Sequence, residues 1–520
     1  FFLTGKMFRR FAFSLQAHRG ILTERFCAVA SVNLLPYFSN RNFSSSVSFS
    51  PSFDDRVSST LVHPPRTDMC GNVGLPLVGS IVTVCGWLQS KRPLGAPGGL
   101  LFGEIRDWTG QLQFKFDSSH CTNTTYHEMA SLALHSVVCV TGKVVARPVD
   151  KVNESIGKSG AVELLVDSFC LLNTSRNPPM EMHIVGTEEV SVAKEQLRMQ
   201  YRYLDIRRPR LQKLLRLRSA VSMSFRQFLV NENFLEVETP LLFKSTPEGA
   251  NEFLVPTRKK GLFFALPQSP QQYKQLLMVG GVDRYFQIAR CFRDESNRAD
   301  RQPEFTQIDL EMSFVTQEDV IHTTERMVLE VVSCALLREE LPMLEAELPR
   351  AFPRMTYHHA MNTYGVDKPD LRNPLVLTDV SHVLASSPAR SLLANFDQDE
   401  CVKAIVCRGL SEKITRKELD TLQKSLQEAG HKGVVAAKVL AEGETLLKVP
   451  ASMSALNEPE VSFPLAKNLA LQPGDLLFLA GGSWKKTCAL LGLLRSLAGA
   501  LMHRKSLLDI RNDSLNFVWV

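Results

Sequence analysis

The chain has 520 residues, of which 44% are hydrophobic and 22% charged, the balance of a soluble globular protein with room for two to four domains. That composition excludes global disorder, collagen and coiled coil, and no apolar run reaches the length of a membrane span. The formal net charge is +6, but Lys6, Arg9, Arg10, Arg19, Arg25 and Arg41 against Glu24 put +5 of it in residues 1–43, so nucleic-acid binding would have to rest on local patches.

Residues 7–53 are rich in Arg, Ser and Phe and nearly free of acid, and residues 7–20 can coil into a basic amphipathic helix. This is the composition of a mitochondrial transit peptide; a secretory signal would need an uninterrupted apolar core. Residues 1–53 are therefore expected to be a leader, with Met7 as the true start and the mitochondrial matrix as destination. A plastid or dual address is the competing reading. Arg41-Asn42-Phe43-Ser44 resembles a matrix-protease site cut after the aromatic residue.

Residues 66–175 read as five short strands, at 81–89, 100–107, 111–116, 137–146 and 162–172, in which apolar and polar residues alternate between Gly- and Pro-rich turns. Five strands in that length predict a small closed barrel of the OB-fold kind. Residues 176–210, with Pro178 and Pro179, form a hinge. Helical period follows: Leu211, Leu214, Leu215, Val221, Phe225, Phe228 and Leu229 share one stripe, and Asn233 can end the helix in a left-handed conformation. A strand is expected at 234–242, and three more strand-like runs at 262–315. From 375 to 475 the composition turns to mixed helix and strand with no catalytic cluster, as in a separate inserted module.

The densest polar constellation lies at 290–314. Two alternating apolar segments, 285–292 and 304–314, flank a loop that carries Arg293, Asp294, Glu295, Arg298, Asp300 and Arg301. An Arg held on a strand presents a planar donor fork suited to phosphate. A carboxylate beside it can accept from an exocyclic amine, and Phe305 can cover a base ring. Such a hairpin can hold a nucleotide without a Gly-rich loop, and neither a P-loop nor a dinucleotide fingerprint is present in the sequence. Taken alone, a charged hairpin loop of this kind is more often a solvated turn. The eleven cysteines, Cys27, Cys70, Cys85, Cys121, Cys139, Cys170, Cys291, Cys334, Cys401, Cys407 and Cys488, are scattered without a C-x-x-C pair. Neither a metal site nor a disulfide framework is expected from that spacing.

Phe292-Arg293-Asp294-Glu295, a loop, then Pro303-Glu304-Phe305-Thr306-Gln307 resembles motif 2 of the class II aminoacyl-tRNA synthetases. Residues 211–240 resemble motif 1, with Pro240 at the dimer-interface position and Asn233 where a Gly is usual. Finer matches at 201–212, 244–250, 265–278 and 364–372 point to the bacterial and mitochondrial aspartyl-tRNA synthetases, over roughly residues 66–520. The resemblance implies an α+β protein: an OB-fold anticodon-binding domain at 66–175, a class II antiparallel-sheet catalytic domain at 211–374, the insertion at 375–475, and a return to the catalytic domain at 476–520.

The same resemblance implies site residues. Glu248 would hold the substrate amino group and Gln271 would help seat the amino acid. Lys274 would face the side-chain carboxylate of L-aspartate, and Arg293 would bridge the substrate carboxylate and the α-phosphate of ATP. Asp294, Glu295, Gln302 and Phe305 would contact ATP, which carries Mg²⁺ on its phosphates. Arg92, Phe102 and Gln113 would read the anticodon of tRNA(Asp), Phe102 by stacking; by alternation alone Phe102 is as readily core. The run Arg202, Arg207, Arg208, Arg210, Lys213, Arg216 and Arg218 is a local basic patch or a solvated helix face. A homodimer is implied, and no membrane partner.

The pattern G-x-x-x-G-L-D-R, motif 3 of that family, does not occur in the sequence, and Gly281-Val282-Asp283-Arg284 precedes motif 2. The chain is therefore expected to be a truncated product impaired in adenylation. Three competing readings remain: a non-catalytic tRNA-binding isoform, an asparagine-specific relative, and a relaxed enzyme that charges both Asp and Asn tRNAs. Lys274 and the inserted module argue against the second.

Overall fold

The computed structural model describes residues 63–94, 99–117, 123–180, 182, 193–246, 249–296, 301–338, 348–384, 400–430, 433–440, 446–511 and 514–520. The expected leader and Glu248 lie outside them. Two compact units emerge, residues 1–227 with 234–311, and residues 228–233 with 312–520. No described helix is long and apolar enough to cross a membrane.

The first unit opens with a closed barrel of β1 (Ile81–Leu94), β2 (Leu100–Arg106), β3 (Gln111–Asp117), β4 (Val137–Ala146) and β5 (Val162–Asn173), in the order β1-β2-β3-β5-β4. The β3–β5 pair is parallel and the others antiparallel. This is the expected OB fold, and period-2 alternation explains it. Val82, Val84, Ile105, Phe114, Val140 and Leu164 point inward and are buried, while their sequence neighbours face out. Strand β1 runs to Leu94, five residues beyond the expected end, because Arg92, Pro93 and Leu94 pair with Phe102, Leu101 and Leu100. Gly86 and Gly142 permit the tight closure: a Cβ there would lie 2.3 and 2.1 Å from the carbonyl oxygens of Arg106 and Leu165. Helix α1 (Asn123–Ser131) joins β3 to β4.

Past the barrel, part of the basic run turns out to be structural. Asp205, fully buried, accepts from Arg198 at 2.9 Å and from Arg202, and forms an ion pair with Arg208 at 3.1 Å. The Arg207 guanidinium lies 4.4 Å over the Trp87 ring and that of Arg216 lies 5.6 Å over Trp108. Arg210 and Lys213 stay exposed.

Helix α2 (Pro209–Asn231) matches the expected helix, and Asn233 takes a φ of 63°. The strand expected at 234–242 shrinks to β6 (Leu235–Glu236), parallel to β9 (Arg284–Phe292). Pro240 lacks an N–H to extend the ladder. Between them lie β7 (Leu254–Pro256), β8 (Phe263–Ala265) and α3 (Gln271–Val279). Strand β10 (Glu304–Met312) lies beside β9 in the sheet β10-β9-β6.

The second unit begins with α4 (Gln317–Arg338) and α5 (Tyr357–Tyr364). A five-stranded sheet follows in the order β11-β12-β15-β13-β14, made of β11 (Thr378–Asp379), β12 (Glu400–Cys407), β13 (Val435–Val439), β14 (Leu447–Lys448) and β15 (Leu476–Ser483). Helices α6 (Arg416–Glu428) and α7 (Pro459–Leu469) fall between its strands, and α8 (Trp484–Arg504) follows. One face packs Ile405 and Phe478 against Leu490, Leu494 and Ala498 of α8. The other packs Val402 and Leu477 against Val461 and Leu465 of α7. The sheet therefore takes its central strand from beyond residue 475, where the inserted module was expected to end. Strand β15 reads as a continuous apolar run because both its faces are covered.

Candidate active site

Strand β10 alternates, so Asp309 and Glu311 fall on one face, and α3 brings Lys274 against them. The Lys274 ammonium, 3% exposed, sits 2.9 Å from Asp309 Oδ1 and 3.1 Å from Glu311 Oε2. Burial raises the Asp309 carboxyl above its usual range while Lys274 pulls it back down. Lysine has three donors; the two carboxylates take two of them. The resemblance had Lys274 facing a substrate carboxylate alone, and Asp309 and Glu311 escaped that reading. The alternation of residues 308–312 was the signal, since it puts two acids on one strand face. Beside this cluster Gln287 Oε1 accepts from Tyr285 Oη and Thr239 Oγ1, both at 2.9 Å. Burial pushes the neighbouring Cys291 thiol up to about 12, so it is an inert, protonated group at neutral pH.

Arg293 follows the last residue of β9. Its backbone N–H donates to Pro303 O at 2.9 Å, and its guanidinium lies 5.2 Å from the Phe305 ring centroid. The Phe292 N–H donates to Pro267 O at 3.0 Å, tying β9 to the segment that leads into Gln271. Glu295 pairs with Arg301 at 2.7 Å. Asp294 bonds through its backbone to Asn251 O at 2.9 Å, and Gln302 is exposed. Arg290 pairs with Glu304 across the two strands, and Arg218 of α2 donates to Thr306 Oγ1 at 3.1 Å.

Glu248 lies outside the described residues, but both flanks of its loop are anchored. Glu252 accepts from Ser245 Oγ at 2.5 Å and Thr246 N at 3.0 Å. Burial would raise its carboxyl, yet these bonds win and hold it below the usual range. Gln268 clasps Ala250 through N–H and carbonyl at 2.7 and 2.8 Å. Gly249 adopts a φ of 97° there, and a Cβ would lie 2.5 Å from Gln268 Oε1. Pro240 is exposed, immediately after Thr239.

Three buried polar atoms in this set of elements have no hydrogen-bond partner among the described residues: Gln271 Nε2, Arg293 Nε and Asp309 Oδ2. Unpaired buried polar groups are costly, and their concentration here marks a place built to receive a polar ligand. The arrangement offers a cationic fork, an aromatic face and a lysine between carboxylates.

On the barrel, Arg92 stands opposite Phe102 on paired strands, and Phe102 opposite Lys115. Phe102 is half-buried and points away from the barrel core, which settles its orientation. Gln113 donates to Glu163 Oε2 and accepts from Arg147 Nη2, both at 2.7 Å.

The family model described as tRNA synthetases class II (D, K and N) matches residues 194–520, and that of the OB-fold nucleic acid binding domain matches residues 82–172. The chain is thus a class II aminoacyl-tRNA synthetase with an N-terminal OB-fold domain. It is 41% identical over 456 residues to the aspartate–tRNA(Asp/Asn) ligase of Opitutus terrae, covering 88% of this chain and 73% of the relative. Over the same length it is 42% identical to the aspartate–tRNA ligase of Geobacillus kaustophilus, covering 88% and 72%. The chain belongs to the aspartate–tRNA ligase family. Its fold is shared with asparaginyl-tRNA synthetase from Pyrococcus horikoshii complexed with asparaginyl-adenylate, at a TM-score of 0.50 and 18% identity, covering 84% of this chain and 97% of that one.

Proposed function

We propose that the chain joins L-aspartate to ATP as aspartyl-adenylate and passes the aspartyl group to tRNA(Asp) for mitochondrial translation, working as a homodimer through α2 and Pro240. The observation that carries this reading is the set of unpaired buried atoms on Gln271, Arg293 and Asp309. Family membership implies the use of ATP, which enters as its Mg²⁺ complex.

The aspartate carboxylate attacks the α-phosphorus in line and pyrophosphate leaves; no covalent enzyme intermediate is needed. Catalysis is positioning and charge neutralisation. Arg293 bridges the reacting carboxylate and the α-phosphate, while Phe305 and Glu295 hold the adenine. Gln271 and Glu248 seat the amino acid, and the third Lys274 donor meets its side-chain carboxylate. Asparagine is nearly the same size, but its neutral amide brings no carboxylate charge to that ammonium and replaces one acceptor oxygen with an NH₂ donor. Sites that strand a polar group this way reject an analogue by roughly 10⁴-fold.

Aspartate-dependent exchange of pyrophosphate into ATP, with asparagine as control, tests the reading. Weak exchange with aspartate, in keeping with the missing G-x-x-x-G-L-D-R pattern, and none with asparagine is expected. tRNA(Asp) binding without aspartate-dependent exchange would favour the non-catalytic tRNA-binding reading. The Opitutus terrae relative is named for both tRNAs, so charging of tRNA(Asn) belongs in the same assay.

A further inference from the structure

Outside the nucleotide site, the barrel aligns cysteines that lie far apart in sequence. Cys85 of β1 faces Cys139 of β4, and Cys139 faces Cys170 of β5. All three are free thiols. The adjacent rung is Thr83, Thr141 and Ser168, with the threonine hydroxyls 2.9 Å apart. Inward-facing Val82, Val84, Val138 and Val140 alternate with these residues, so both rungs lie on the outer face.

The segment before the barrel is fastened over this face. Thr67 and Asp68 donate backbone N–H groups to Thr83 O at 3.0 and 3.4 Å, and Thr83 N returns a bond to Thr67 Oγ1 at 2.9 Å. One ring nitrogen of His63 and the sulfurs of Cys85 and Cys139 then lie within 4.8 Å of one another. His63 Nδ1 is 2.8 Å from Pro64 O. A proton donated there leaves Nε2 with its lone pair, the arrangement that fixes the tautomer of metal-bound histidines. Cys139 is 1% exposed, and neither adenylation nor anticodon reading uses any of these groups.

We propose that His63, Cys85 and Cys139 form a binding site for a soft divalent metal ion, Zn²⁺ being the fitting one, with Cys170 on the next strand or a water as the fourth ligand. Nitrogen and thiolate donors in tetrahedral array are the usual zinc set, with Zn–S near ~2.3 Å and two sulfurs therefore about 3.7 Å apart. The sulfurs, now within 4.8 Å of each other, would close to that distance on binding. Binding displaces a proton from each ligating thiol to solvent. The ion would rivet the segment at residues 63–68 to β1 and β4. Spacing along the chain hid this site, because its ligands meet only through strand register.

Metal-free, reduced full chain titrated with Co²⁺ tests the proposal. A thiolate-to-cobalt charge-transfer band saturating at about one ion per chain, and displaced by Zn²⁺, is expected. Cys85→Ser and His63→Ala should each weaken Zn²⁺ affinity by about 100-fold, at the top of what even supporting groups cost, with the far-ultraviolet spectrum unchanged. Both positions are at least partly exposed, whereas Cys139 is buried. A wild-type chain without the band overturns the proposal, as does a band that survives both substitutions.

Discussion

Lys274 is held by two carboxylates in a buried position, so its removal does more than delete a substrate contact. Lys274→Met leaves Asp309 and Glu311 facing each other without a counterion. Loss of one member of a buried pair costs about 3 kcal/mol or more, and denaturant unfolding at neutral pH should show a loss of that order. Asp309 is already raised by burial, and without the lysine it rises further. A carboxyl with a raised folded pKa contributes stability below its unfolded value and loses it as pH climbs through the folded one. The deficit of the variant should therefore shrink in mildly acid buffer and be largest at neutral pH. A deficit that grows on acidification would contradict this account. At this scale the sequence showed which residue types could meet a nucleotide, because Arg293 and Phe305 lie on a recognisable hairpin. It did not show the partners of Lys274, since contact between α3 and β10 is a tertiary fact.

Among the elements, two chain reversals depend on single residues. Asn233 ends α2 with a φ of 63°, a conformation Asn tolerates and β-branched residues resist. Asn233→Gly should leave the unfolding midpoint nearly unchanged, whereas Asn233→Val should cost about 1–3 kcal/mol. Helix α6 starts with a capping box in which Thr415 and Glu418 satisfy each other's backbone N–H. The Thr415 backbone N–H bond comes first among the influences that lower the Glu418 carboxyl to about 2, with help from Lys505. A carboxylate depressed in this way stabilises the fold above its unfolded pKa, about 4.3. That contribution fades as pH falls towards about 2. Glu418→Gln should therefore flatten the loss of stability across that acid window, as read by denaturant midpoints at stepped pH. The barrel strands were legible because one face is buried and one wet, which writes alternation into the sequence. Strands β12 and β15 were not, because burial on both faces erases it.

For the molecule as a whole, the chemistry and the proposed anticodon reading occupy different elements of the first unit. Phe102 faces outward beside Arg92 and Lys115. Phe102→Ala should weaken tRNA(Asp) binding by about 1–3 kcal/mol, the usual cost of one lost base stack, while tRNA-independent pyrophosphate exchange stays at the wild-type rate. A filter-binding titration and an exchange assay on the same preparation check both halves. A fall in exchange would mean that the barrel supports the catalytic hairpin rather than acting as a separate reader. The order of domains was legible because helical, alternating and mixed stretches follow one another in blocks. The reach of the second sheet to Ser483 was not, because strand order across a sheet leaves no mark on local composition.

Gln113 has a consequence of its own. Glu163 can only accept and Arg147 can only donate, so the amide clasped between them at 2.7 Å on each side has one permitted sense. An unrestrained glutamine turns over readily and offers a ligand either end. This one is a polarised peg that cannot be reversed. One N–H and one lone pair remain to it, in a set order. A base edge with its acceptor and donor in the matching order fits, and the transposed order meets like against like. Discrimination between such edges would then come from rigidity laid down in folding, with no rearrangement when the strand arrives.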